Sequence, residues 1–174
     1  MVLIKPREGE TFFRTEDIEK RIAEQGESLA LVILSGIQYF TGQFFDIQTI
    51  TAAGHKQGAY VGWDLAHAVG NCELKLHEWD ADFAVWCTYK YLNGGAGSIG
   101  GMFLHDKHFA NISKFKKLDG WWSHNYPTRF KMSNKMEYAP GALAYGLSNV
   151  SMLLTSCLKA SLDVTILFSC LYKC

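Results

Sequence analysis

Lys90 and Asp64 are the side chains whose settings most suggest chemistry. Lys90 stands in Thr88-Tyr89-Lys90-Tyr91-Leu92-Asn93, between an apolar run and a glycine-rich stretch. A lysine so placed is expected to be partly withdrawn from water, and desolvation favours the neutral amine that attacks a carbonyl carbon. The plain alternative is a solvated surface lysine. Asp64 stands in Trp63-Asp64-Leu65-Ala66-His67-Ala68-Val69-Gly70-Asn71. It could cap the residues that follow, as aspartates often do, or hold a cation such as a protonated ring nitrogen. A carboxylate there keeps the ring charged and turns it into an electron sink. His67 follows by three residues, so on a helical turn it faces the same way as Asp64. Asp-x-x-His lacks further ligands at recognisable spacing, so no metal site is expected. Packing or local hydrogen bonding explains a lone histidine equally well.

Two other stretches invite a reading. Gly95, Gly97 and Gly100 make a formal G-x-G-x-x-G. A dinucleotide fingerprint opens a helix, yet Met102-Phe103-Leu104 has strand character. The loop is better read as tight turns close to a ligand or a neighbouring subunit. Trp121, Trp122, Tyr126, Arg129 and Lys131 form an aromatic and basic cluster. Such clusters are commonly packing with a solvated edge, although the Trp121 indole N–H could donate to an anionic oxygen.

The elements that must position these residues follow from periodicity and punctuation. Val2-Leu3-Ile4 reads as a short strand. Thr15 would cap a helix carrying Glu16 and Asp17 in its first turn and closed by Gly26. Residues 29–34 form a continuous apolar run, expected to be a strand buried on both faces. Asp46 caps a second helix through Ala53, and Gly58 follows its end. Residues 60–63 and 83–87 are further strands, ending on Asp64 and just before Tyr89 and Lys90. Ser148 or Asn149 would cap a last helix through about Leu162. Residues 165–174 are β-prone and rich in cysteine, and read as a frayed or foreign tail. The alternation predicts an α/β fold with a mainly parallel sheet flanked by helices. In such sheets ligands gather at the carboxyl ends of strands, which is where Ser35, Asp64 and Lys90 fall. The sheet looks incomplete, with the chain starting inside a strand.

Composition narrows the classes. The 174 residues are 48% hydrophobic and 20% charged, with 17 basic and 17 acidic side chains, as expected of a folded domain with a core. Nucleic acid binding would leave a basic excess, and none is present. The start of the chain is charged too early for a secretory signal, and no apolar run approaches membrane-spanning length. No nucleic acid or membrane partner is therefore expected. Cys72, Cys87, Cys157, Cys170 and Cys174 are odd in number and lack C-x-x-C spacing, which suits reduced cysteines in a cytoplasmic protein.

The strings Asp64-Leu65-Ala66-His67-Ala68-Val69-Gly70-Asn71 and Tyr89-Lys90-Tyr91-Leu92-Asn93-Gly94-Gly95-Ala96-Gly97 closely resemble kynureninases. The likeness runs from about Val2 to Leu162, taking in Ser35-Gly36, Thr41-Gly42-Gln43 and Thr128-Arg129-Phe130-Lys131-Met132. It implies the large domain of a fold-type I, pyridoxal 5'-phosphate (PLP) dependent, transferase-like enzyme over residues 1–162, incomplete, with residues 163–174 a divergent tail. It implies a cytoplasmic homodimer of tryptophan catabolism and NAD biosynthesis. The substrates would be kynurenine or 3-hydroxykynurenine, cleaved at Cβ–Cγ to anthranilate or 3-hydroxyanthranilate plus alanine. By the resemblance Lys90 carries the cofactor and serves as the base at the α-carbon, and Asp64 holds its ring nitrogen. His67 lines the ring, and Tyr89 contacts the phosphate and has an acid–base part. Ser35, Trp121 and Asn149 match further cofactor contacts, some of them across a dimer interface. The family's N-terminal third and small C-terminal domain, with its substrate-binding arginine, have no counterpart here, and the prolines usual after Asn149 are missing. Two alternatives stand beside the hydrolase: an inactive fragment that only pairs with the full enzyme, and an aminotransferase or desulfurase-like enzyme on the same scaffold.

Overall fold

The computed structural model describes residues 1–171, with the side chains of residues 1–167. Four strands form one sheet in sequence order: β1 (Leu31–Ser35), β2 (Tyr60–Asp64), β3 (Phe83–Cys87) and β4 (Gly100–Leu104). β1 and β2 pair in parallel, as do β2 and β3, whereas β4 returns antiparallel to β3 across the glycine loop. The sheet is mainly parallel, as expected, with one antiparallel member. The antiparallel member, β4, follows β3 after the loop of residues 88–99.

Two helices cover one face. α1 (Thr15–Gln25) buries Ile18 and Ile22, and α2 (Ile47–Lys56) buries Ile47, Ile50, Thr51 and Gly54. They meet the inward residues Val32, Val61, Trp63 and Ala84 in one core. Trp63 is fully buried there, and its indole N–H donates to Thr51 Oγ1 at 3.1 Å, so the polar handle is satisfied. Asp46 caps α2 as expected, accepting from the Thr49 N–H at 3.0 Å. Thr15 is the first helical residue and not a cap. Arg14 occupies that place without a side-chain bond, and Gly26 closes the helix.

Three expectations fail on the remaining elements. The run 29–34 is not buried on both faces: Leu31 and Ile33 are 46% and 54% exposed, because α1 and α2 pack on the other face of the sheet. Val2-Leu3-Ile4 forms no strand; it lies against α1 and β1, with Ile4 touching the core. The last helix, α3 (Met152–Leu171), starts after Asn149 and continues through the stretch read as β-prone. Local i→i+4 bonding outweighs strand propensity where no sheet edge is at hand. Residues 172–174, including Cys174, lie outside the described residues, as does the Cys170 side chain. Cys72, Cys87 and Cys157 are free thiols. Among the described residues no helix is long and apolar enough to cross a membrane.

Candidate active site

The carboxyl ends of β1, β2 and β3 converge on a cavity of about 330 Å³ lined by Ser35, Ile37, Tyr39, Asp64, Ala66, His67 and Lys90. Ser35 and Asp64 are register partners on β1 and β2. The Gly36 N–H donates to the Asp64 carbonyl at 2.8 Å, and the Leu65 N–H to the Val85 carbonyl at 2.8 Å, so the three strand ends are stitched together. Asp64 Oδ1 accepts the Ala66 N–H at 2.9 Å, which turns the chain and sets His67 on the cavity wall. The helical turn expected after Asp64 is a run of tight turns. Among the described residues no donor meets Asp64 Oδ2.

Lys90 follows β3 and is held by the glycine loop. The Gly94 N–H donates to the Thr88 carbonyl at 2.8 Å, and the Asn93 N–H to the Lys90 carbonyl at 3.0 Å. Buried Thr88 bonds Ser98 Oγ at 2.7 Å, folding the loop back on the strand end. Gly70 lets the His67 segment approach this loop. Its φ is +79°, and a Cβ would lie 3.2 Å from the Tyr91 backbone, a conformation and a contact that favour glycine. The result is a 2.9 Å hydrogen bond between Lys90 Nζ and His67 Nε2. Among the described residues Lys90 has no carboxylate partner, so its amine is positioned without being tied up in an ion pair.

The residues implied by the resemblance divide into two groups. Ser35, Asp64, His67 and Lys90 share the cavity. Tyr89 lies off it, 52% exposed, with its ring centroid 5.8 Å from Lys90 Nζ. Trp121 packs edge-on against Phe130 at 5.5 Å, and Asn149 accepts from the Trp122 indole. Neither lines the cavity. Arg129 is buried, stacked 4.5 Å from the Trp122 ring centroid, and donates to the His124 carbonyl at 2.9 Å, so the basic cluster is packing. Sequence reasoning missed Tyr39 and Ile37, which enter the cavity from the loop after β1; the only signal was their closeness to Ser35.

The donor set fits the ring end of PLP. An aldehyde requires an accessible primary amine, and Lys90 supplies one. A protonated pyridine nitrogen requires an anionic oxygen free of other donors, and Asp64 Oδ2 is that oxygen. The size is within the range of small-molecule sites, roughly 300–1,000 Å³. No phosphate cradle lines this cavity among the described residues.

A profile of the aminotransferase class-V family matches residues 3–139. The chain is 54% identical over 164 residues to the kynureninase of Nematostella vectensis and 52% identical over 164 residues to that of Homo sapiens. Each match takes in 94% of this chain and 35% of the relative, so the chain spans about a third of their length. Among solved structures, the cystine C-S lyase C-DES in complex with cysteine persulfide superimposes with a TM-score of 0.71 at 23% identity, over 84% of this chain and 38% of that one. The cysteine desulfurase of Thermococcus onnurineus NA1 gives 0.65 at 17%, over 89% and 37%. These two likenesses establish the fold, that of the fold-type I PLP enzymes.

Proposed function

The chain belongs to the aminotransferase class-V family, and on that footing we propose that it is the cofactor-binding part of a kynureninase-type hydrolase. The substrate would be kynurenine or 3-hydroxykynurenine, cleaved between Cβ and Cγ to give anthranilate or 3-hydroxyanthranilate and alanine. The observation that carries this reading is the meeting of Lys90, His67, Asp64 and Ser35 around one cavity at the strand ends. When bound, PLP supplies an electron sink for bonds made and broken beside the substrate nitrogen. The chain's own residues do the rest. Asp64 offers a free anionic oxygen to the ring nitrogen. Lys90 holds the cofactor and then serves as the base at the substrate's α-carbon. His67 fixes the Lys90 amine through its Nε2 contact, and Ser35 offers a hydroxyl beside Asp64. The cellular setting would be cytoplasmic tryptophan catabolism leading to NAD.

Tyr89, Trp121 and Asn149 lie off the cavity of their own chain. By the resemblance, some of them would serve the cavity of a second copy in a homodimer. Their position off the cavity also favours a second reading, in which this chain acts as an inactive pairing partner of the full enzyme.

Borohydride reduction in the presence of PLP, followed by peptide mapping, tests the assignment. A single adduct on Lys90, absent from Lys90→Ala, is the expected result. Asp64→Asn should keep the labelling position while requiring more PLP for the same yield. Adducts spread over the exposed lysines in both proteins would overturn the site.

A further inference from the structure

The opposite edge of the sheet carries a second cluster. There the start of β3 and the end of β4 lie side by side, with Phe83 and Leu104 in register. The next two residues after β4, His105 and Asp106, face His77 from the turn that precedes β3. We propose that His77, His105 and Asp106 bind a divalent transition-metal ion of the class that takes imidazole and carboxylate together, such as Zn²⁺, Ni²⁺ or Co²⁺.

Asp106 Oδ1 lies 2.9 Å from His105 Nδ1 and 3.4 Å from His77 Nε2, and the three donor atoms fall within 4.8 Å of one another. An ion bonded at about 2.0–2.2 Å to each of three such atoms sets them roughly 3–3.5 Å apart. The two shorter separations already match.

The surroundings of His105 point to a cation. This ring is buried, its Nε2 faces Asp80 Oδ1 at 3.4 Å, and its Nδ1 accepts the Lys107 N–H at 3.2 Å. An ion at Nδ1 would take the place of the Lys107 N–H there, and a proton on Nε2 would then face a carboxylate, the outer-shell arrangement typical of metal-bound histidines. Asp106 Oδ1 lies beside the same nitrogen. A cation between the two would also balance the Asp106 charge. Lys107 does not provide it, because its ammonium is held by Asp80 at 2.7 Å and Asp82 at 3.1 Å. Among the described residues Asp106 has no lysine or arginine partner. A proton would satisfy the Asp106–His105 pair alone; the third donor, from His77, fits a metal ion.

His77 stacks on His105 with centroids 4.4 Å apart and planes at 22°. Lone pairs of stacked rings do not converge on one point, so binding draws the His77 ring off the stack. Its side chain is 67% exposed and turns without disturbing the core. The Asp106 side chain is 62% exposed, which leaves the remaining coordination positions to water. A bound ion would tie the turn before β3 to the segment after β4, on the far side of the sheet from Lys90.

Titration of the 174-residue chain with Co²⁺, followed by absorption spectroscopy, tests the site. Visible d–d bands should develop at one equivalent, without the thiolate-to-cobalt charge transfer that cysteine ligation would add. His77→Ala and Asp106→Asn should each weaken binding by ~10-fold or more, since even outer-shell changes cost that much. His124→Ala should leave it unchanged. Both substituted side chains are largely exposed, and far-UV circular dichroism checks that each variant keeps its fold. Equal affinity in His77→Ala and Asp106→Asn, a thiolate band, or no saturable binding would each overturn the proposal.

Discussion

At the scale of single residues, Asp82 has the most demanding environment. It is buried beneath the amino end of β3 and accepts from the Val61 N–H at 2.6 Å, His55 Nε2 at 2.8 Å and His108 Nε2 at 2.7 Å. Burial pushes its pKa up. The hydrogen bonds from Val61, His55, His108 and Lys107 together outweigh that and hold the carboxyl at about 2, against an ordinary 3.8. A carboxylate depressed in the folded state contributes stability that is complete above the unfolded pKa and disappears as pH falls through the folded one. The contribution, on the order of 2 kcal/mol, should therefore be intact at neutral pH and lost between about pH 4 and pH 2. Urea midpoints measured across that window check this. Asp82→Asn should be less stable than the unsubstituted chain at pH 7, and the gap should shrink toward pH 2. Parallel curves would show that the carboxylate charge contributes nothing. The site residues were legible one by one. Lys90 and Asp64 stood out through their neighbours, and Ser35 through its place after an apolar run. His105 and Asp106 did not, because their partner His77 is far away in sequence and is brought near only by the β3–β4 pairing.

At the scale of elements, α2 shows where packing overrules propensity. Gly54 sits inside the helix, where alanine is preferred by about 0.8–1 kcal/mol. A Cβ at Gly54 would lie 2.5 Å from Val61 Cγ2 and 3.3 Å from Val32 Cγ2, so the helix could not stay seated on the sheet. Overpacking of this kind costs about 1–3 kcal/mol. Gly54→Ala should thus destabilise by about 1 kcal/mol despite its better propensity, visible as a lower urea midpoint with an unchanged slope. A stabilised variant would mean that α2 shifts freely on β1 and β2. The same contact explains what could be read in advance. Strands 60–64 and 83–87 were visible because glycine or aspartate bounds them, and the Asp46 cap because its chemistry is local. That β1 is covered on one side only was not visible. An apolar run looks the same whether both faces or one are packed, and the difference depends on which helices lie near. The run of α3 past Leu162 was hidden for a related reason: Val164, Thr165 and Ile166 suit a strand only where another strand stands ready to pair.

At the scale of the whole molecule, the sheet has two unlike faces. α1 and α2 cover one, while Leu31, Ile33, Tyr60 and Val85 on the other are each at least 39% exposed. The cavity is likewise one-sided. Ser35, Asp64, His67 and Lys90 serve the ring end of a cofactor, and Tyr89, Trp121 and Asn149 point elsewhere. Holding PLP through its aldehyde and ring nitrogen alone forgoes the charge-assisted hydrogen bonds a phosphate would make, which are the stronger kind. Catalysis further requires that the substrate be oriented, and misplacement by 1 Å can cost ~100-fold in rate. Among the described residues no arginine lines the cavity to clamp a substrate carboxylate. The 174-residue chain by itself should therefore give the Lys90 adduct on reduction yet form no anthranilate from kynurenine above the level of Lys90→Ala, as read by product fluorescence. Mixing it with a full-length kynureninase carrying an inactivating lysine substitution then separates the two functional readings. Activity appearing only in the mixture would mean that the cavity is competent and is completed by a second copy. Silence in the mixture, with the adduct intact, would favour the pairing partner. Turnover by the chain alone, abolished by Lys90→Ala, would show that the four cavity residues suffice and that the off-cavity side chains are dispensable.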